Sequence, residues 1–237
     1  MIVIKFEKTG GVAYIAHLDL MRSFTLALRR ANIEVKYSEG FNPHILIFFS
    51  SPLSVGLQSR AEYVCIETLE SAKDVIKKLS ATLPQGIGII SAEKRDINPN
   101  YAAILAAAEY EIELDSAANL KQALQDIMAS DSYSMEFTKL IKNDRRGRSE
   151  TKEKDIRNRI LQLTGSGKKY KMLLLCGNFN LRPDKLLENI LKTQGLSHIT
   201  STIIKTKAFA LKNKTTDAEQ IYKQKDILEG LVDFDNL

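Results

Sequence analysis

Residues 2–8, IVIKFEK, alternate apolar and charged side chains, the period of a half-buried strand. The pattern then changes. HLDLMRSFTLALRRA places Leu18, Met21, Phe24, Leu28 and Ala31 along one stripe at helical spacing. ILIFF and AEYVCIETL are further strands, separated by the turn SPLSVG. Ser71 caps a helix carrying Ala72, Val75, Ile76, Leu79 and Leu83, and Pro84-Gln-Gly86 breaks it before the strand GIGIISAE. The element order over residues 1–97 is β-α-β-β-α-β, that of a ferredoxin-like unit.

Residues 101–210 repeat that order without repeating its residues. AEYEIEL is a strand. Asp115 or Ser116 caps a helix using Leu120, Leu124 and Ile127. SMEFTKL is expected to pair as a hairpin with KYKMLLLC. Pro183 opens a helix carrying Leu186, Leu187, Ile190 and Leu191, and HITSTIIKTKAFAL is the last strand. A long hairpin connection, residues 142–169, interrupts this half. Thr216 and Glu219 form a capping box for a C-terminal helix over 215–237, with Ala218, Ile221, Leu228 and Val232 on its apolar stripe. The expected fold is α+β: two ferredoxin-like (βαββαβ) lobes in tandem, divided at Asp96–Asn100, with a C-terminal helix.

Charge sharpens this picture. The 237 residues carry a net +5, yet residues 142–171 alone carry +7. Such asymmetry points to an anionic partner, nucleic acid first. Arg145, Arg146, Arg148 and Arg157 of this segment are candidate phosphate contacts. The longest apolar run, residues 101–108, has eight residues, too short to cross a bilayer. Met1 leads directly into a strand, with no signal peptide expected, and two isolated cysteines suit a reduced cytoplasm. No cofactor or metal spacing is present, and no oligomeric state can be read.

The chemistry-bearing candidates cluster around the first helix. YSEGFNPH, residues 37–44, holds Gly40, which tolerates positive φ, and Pro43, which biases Asn42 to extended backbone, so a shaped loop is expected. Arg29 and Arg30 end the helix; Lys36, Tyr37, Phe41, Asn42 and His44 follow. Cations for phosphate, flat rings for stacking and an amide for base edges are the ingredients of single-stranded RNA recognition. Arg22 shares the helix face of Arg29, and Arg60 lies beside the SSPLSVG turn, where Ser50, Ser51 and Gly56 loosely resemble a phosphate-accepting loop. An enzyme reading uses His17, Tyr37 and His44 as acid–base groups. A helix over 17–31 is roughly 22 Å long, however, which places the two histidines at opposite ends.

The block YIAHLDLMRSFTLALRRANIEVKYSEGFNPHILIFFSSPLSVGLQSRAEY, with KEKDIRNRI and NLRPDKLLENIL later, resembles the bacterial radical-SAM-linked proteins, an uncharacterised family, over about residues 2–210. The resemblance implies association with a radical-SAM enzyme, without that enzyme's own chemistry, since two cysteines cannot supply its three-cysteine cluster motif. The element order is also similar to the ferredoxin-like repeats of CRISPR RNA-processing proteins. The expectation is a non-catalytic RNA-binding accessory protein that presents tRNA or rRNA to a radical-SAM modifying enzyme. Its rivals are an RNA endonuclease or transferase, and a protein–protein adaptor that docks the radical-SAM enzyme.

Overall fold

The computed structural model describes residues 1–140, 149–177, 180–211 and 227–237. Its strands are β1 (Ile2–Lys8), β2 (Ile47–Phe49), β3 (Gln58–Ile66), β4 (Ile87–Lys94), β5 (Leu105–Ala118), β6 (Ser134–Leu140), β7 (Ser149–Asp155), β8 (Ile160–Leu175), β9 (Ser201–Leu211) and β10 (Leu231–Asp233). The helices are α1 (His17–Arg30), α2 (Ala72–Ser80), α3 (Tyr101–Ile104), α4 (Lys121–Ala129), α5 (Pro183–Thr193) and α6 (Ile227–Gly230). The protein is α+β, and no described helix is long and apolar enough to cross a membrane.

One eight-stranded mixed sheet runs through both halves in the order β4-β1-β3-β9-β5-β8, with β2 beside β3 and β10 beside β9. A continuous sheet thus spans both expected lobes. The join is narrow: β3 and β9 pair in parallel only at Gln58↔Ile204 and Ser59↔Lys205, whereas the neighbouring pairs are antiparallel.

Local signals explain the helices. Ser71 accepts from the Asp74 amide at 3.1 Å and caps α2, and Pro183 occupies the first turn of α5. The α1 span agrees with its pattern, but the buried stripe is Leu20, Phe24, Ala27 and Leu28, while Leu18 is 69% exposed. Leucines stand at 18, 20, 26 and 28, so the helix carries apolar side chains on two faces and packing selects one. That inner stripe meets Ile2, Ile4, Phe6, Val64, Ile66, Val75 and Leu79. Helices α4 and α5 build a second core over β5 and β8. On the opposite face of the first half, Val3, Ala61, Tyr63 and Cys65 pack with Tyr101 and Phe234.

Four further expectations change. SMEFTKL (β6) pairs with Ser149–Asp155, not with KYKMLLLC, which is the end of the 16-residue β8 on β5. Much of the expected 142–169 loop is thus strand. Asp115 caps no helix; its Oδ2 accepts from Thr200 Oγ1 at 2.6 Å and ties β5 to the start of β9. Residues 227–237 form α6, β10 and a 3-10 turn rather than one C-terminal helix, because Val232 and Phe234 serve the sheet. Thr216 and Glu219 lie outside the described residues.

Candidate functional site

The loop after α1 closes into a hairpin. Leu46 N donates to Lys36 O at 2.9 Å, Tyr37 bridges Ile45, and Ser38 N donates to His44 O at 2.8 Å. Ser38 Oγ joins His44 Nδ1 at 2.8 Å and accepts from the His44 amide at 3.1 Å, fixing the neck. Gly40 turns the tip with φ of 122°, where a side chain would be strained. Phe41, beside it, is 105% exposed, and Tyr37 and Asn42 are exposed. The rings thus stand outside the core.

The surrounding cations are unequally occupied. Arg30 donates to Thr82 O at 2.8 Å, and Lys36 lies 3.2 Å from Glu67. Arg22 is 3.6 Å from Asp19 in a highly exposed pair of little strength. Arg29 and Arg60 are exposed. Arg157 donates its guanidinium to the carbonyls of Ser130, Met128 and Ile160 and so locks the α4–β8 corner. Arg145, Arg146 and Arg148 lie outside the described residues, and the described remainder, Ser149–Asp155, is slightly acidic.

The acid–base candidates occupy two places. His17 packs edge-on against Phe49 with centroids 5.6 Å apart, while Tyr37 and His44 belong to the hairpin. None of the three lines either of the two principal cavities.

A different polar cluster sits where the halves join. Lys8, Glu62 and Lys205 are buried on the helix side of the sheet. Lys205 is ion-paired with Glu62, whose Oε1 nevertheless receives no well-directed hydrogen bond. Lys8 Nζ donates to Ile15 O at 3.1 Å; burial lowers its pKa, opposed by Glu62. Burial also lowers that of His17, against the pull of Glu62 and with the push of Lys8, so the imidazole is neutral near pH 7.

Beside Lys205 opens a cavity of about 200 Å³ between the 51–57 turn and the start of α5. Tyr110 and Cys176 form one wall, Oη and Sγ 3.8 Å apart. Burial raises both pKa values, leaving a protonated phenol and thiol without nucleophilic character. A larger, more open groove of about 630 Å³ lies along Thr9–Val12 and Gln85–Gly88. Among the described residues no His, Cys, Asp and Glu group has the geometry of a metal site.

A family model described as an uncharacterized protein conserved in bacteria, DUF2344, matches residues 1–183. The chain belongs to the DUF2344 family. No curated protein matches the DUF2344 chain. Among solved structures, a chain in the crystal structure of a Cbf5-Nop10-Gar1 complex is similar at 12% identity and a TM-score of 0.43, covering 87% of the DUF2344 chain and 48% of its own. The DUF2344 chain thus spans about half the length of that structural relative.

The buried cluster is what sequence reasoning missed, although a signal was present. Lys8 falls in phase with Ile2, Ile4 and Phe6; Glu62 with Val64 and Ile66; Lys205 with Ile203. A charge in core phase on three strands marks a shared interior point.

Proposed function

We propose that this protein is a non-catalytic RNA-binding accessory factor that presents structured RNA, tRNA or rRNA, to a radical-SAM modifying enzyme. The observation that carries the RNA reading is Phe41: fully exposed, at the tip of a hairpin whose neck is fixed by three hydrogen bonds between Ser38 and His44. A large ring held in water without packing has no structural use there and suits base stacking. Exposed Tyr37 and Asn42 flank it, and Arg22, Arg29 and Arg60 remain exposed for phosphate. What supports the radical-SAM partner is the resemblance of the 14–63 block. We read each half as a ferredoxin-like unit merged with the other, a reading supported by the strand runs β4-β1-β3-β2 and β9-β5-β8.

The test is fluorescence anisotropy with labelled tRNA across a salt series. Phe41→Ala is expected to weaken binding by about 1–3 kcal/mol, roughly 5- to 150-fold, while leaving thermal stability unchanged. Arg22→Ala with Arg29→Ala is expected to flatten the salt dependence. Equal affinity for Phe41→Ala, or a wild-type response independent of salt, overturns the assignment.

The adaptor reading has one observation in its favour. Leu18 and Leu26 project from the outer face of α1, and Tyr14 is exposed just before it. Leu18→Ser with Leu26→Ser should abolish capture of a radical-SAM enzyme from RNase-treated lysate under that reading, and leave tRNA binding intact under the first.

A further inference from the structure

The polar interior of the sheet has an unbalanced charge. Lys8 and Lys205 lie close to a single buried carboxylate, Glu62, and only Lys205 is paired with it. Burying a cation without full compensation is costly, so such an excess needs a purpose or a partner. Lys205 also lines the 200 Å³ cavity, so one of the two cations is presented to it.

The cavity wall carries further donors. Ser51 and Ser54 come from the turn before β3; Asn180 and Arg182 come from the approach to α5. Helix α5 has 11 residues and begins at this wall with Pro183, so the positive end of its dipole lies at the cavity. Asp184 supplies one local carboxylate there, held by Arg182 at 2.6 Å; the guanidinium is half-exposed and retains donors beyond that pair. The remaining wall is apolar: Leu53, Leu57, Leu105 and Pro183. The volume is below the ~300 Å³ lower end of sites for drug-sized ligands, so the occupant is compact.

We propose that this cavity binds a small organic anion, an oxyanion head of phosphate-monoester or carboxylate type on a compact apolar body, with Lys205, Arg182 and the serine hydroxyls on the head. Such a ligand places its charge beside Lys205 and fills the apolar wall. It also touches both halves of the chain, since Ser51 and Ser54 precede the join in sequence and Arg182 and Lys205 follow it. The site is separate from the hairpin and stands whether or not RNA binds there.

Isothermal titration calorimetry and thermal shift on the full chain test it, at constant ionic strength, with phenyl phosphate, benzoate and inorganic phosphate as probes. Saturable heat and a Tm rise with phenyl phosphate or benzoate are expected, the stronger of the two identifying the head group, with inorganic phosphate weaker than phenyl phosphate. Arg182→Gln should weaken binding about tenfold or more, the worth of a charge-assisted hydrogen bond. Ser54→Leu, which adds bulk to the wall, should abolish it. Lys205→Met is informative only if it folds; the other two variants alter half-exposed side chains and are expected to keep the wild-type Tm without ligand. The proposal is overturned if neither aromatic probe gives saturable heat, if both variants bind as well as wild type, or if sodium chloride reproduces the Tm rise.

Discussion

Replacing Lys205 by Met leaves Glu62 as a buried carboxylate without its ion-pair partner. The two side chains are 5% and 4% exposed, so solvent cannot compensate. Breaking a buried pair from one side typically costs about 3–5 kcal/mol. Lys8 lies within electrostatic reach of the same carboxylate and takes up part of the deficit, which places Lys205→Met near the lower end, about 3 kcal/mol. Glu62→Gln strands two buried ammonium groups and belongs near the upper end, about 5 kcal/mol. Glu62→Leu combined with Lys205→Met removes the ion pair and substitutes apolar bulk, leaving only Lys8, which keeps its bond to Ile15 O; it should cost less than either single change. Urea unfolding read by circular dichroism, with the midpoint compared at unchanged slope, measures all three. A loss below about 1 kcal/mol for Lys205→Met, or a smaller loss for Glu62→Gln than for Lys205→Met, refutes the reasoning that one carboxylate holds two interior cations.

Phe234→Ala should cost about 3–5 kcal/mol in the same assay, since the ring is buried 4.6 Å from Tyr101 and 5.2 Å from Tyr63, centroid to centroid. Asp235 fastens the same tail: burial would raise its pKa, but the hydrogen bonds from Lys5 and Tyr63 win and hold it below the ordinary 3.8. A depressed folded-state value means that its stabilisation is complete above about pH 4 and fades as pH falls through the folded value. Near-ultraviolet circular dichroism during acid titration should show that loss, and Asp235→Asn should remove this component of the pH dependence. Arg157→Ala deprives three backbone carbonyls of a donor and should destabilise by about 1–3 kcal/mol while leaving tRNA affinity unchanged. Weaker tRNA binding by a fully folded Arg157→Ala would return that residue to the RNA surface.

Local rules read this sequence well wherever a local interaction decides. Ser71 and Pro183 announce their helices because capping and φ restriction act within one turn. YSEGFNPH reads as a shaped loop because Gly40 and Pro43 constrain backbone in any context. The failures arise where a distant segment decides. Leu18 and Leu20 are equivalent on helical periodicity, and only the sheet beneath α1 buries Leu20 and leaves Leu18 in water. KYKMLLLC and Ser149–Asp155 both read as strands, and nothing near SMEFTKL states which will be its partner. The parallel join of β3 to β9 links residues about 145 positions apart, beyond any window. The cavity is assembled from four such distant segments, so its donors looked like ordinary surface serines, an Asn and an Arg.

The tail has a consequence for how the molecule is assembled. Lys5 and Asp235 are 230 positions apart, and Tyr63 reaches the same carboxylate across 172. Closing so long a loop is entropically disfavoured until the strands between have gathered. Phe234 lands on a surface built from β1 and β3 of one half and β9 of the other, a surface that exists only once the two have met. Docking of Phe234 and Asp235 on the complete surface therefore requires β3 and β9 to have come together first.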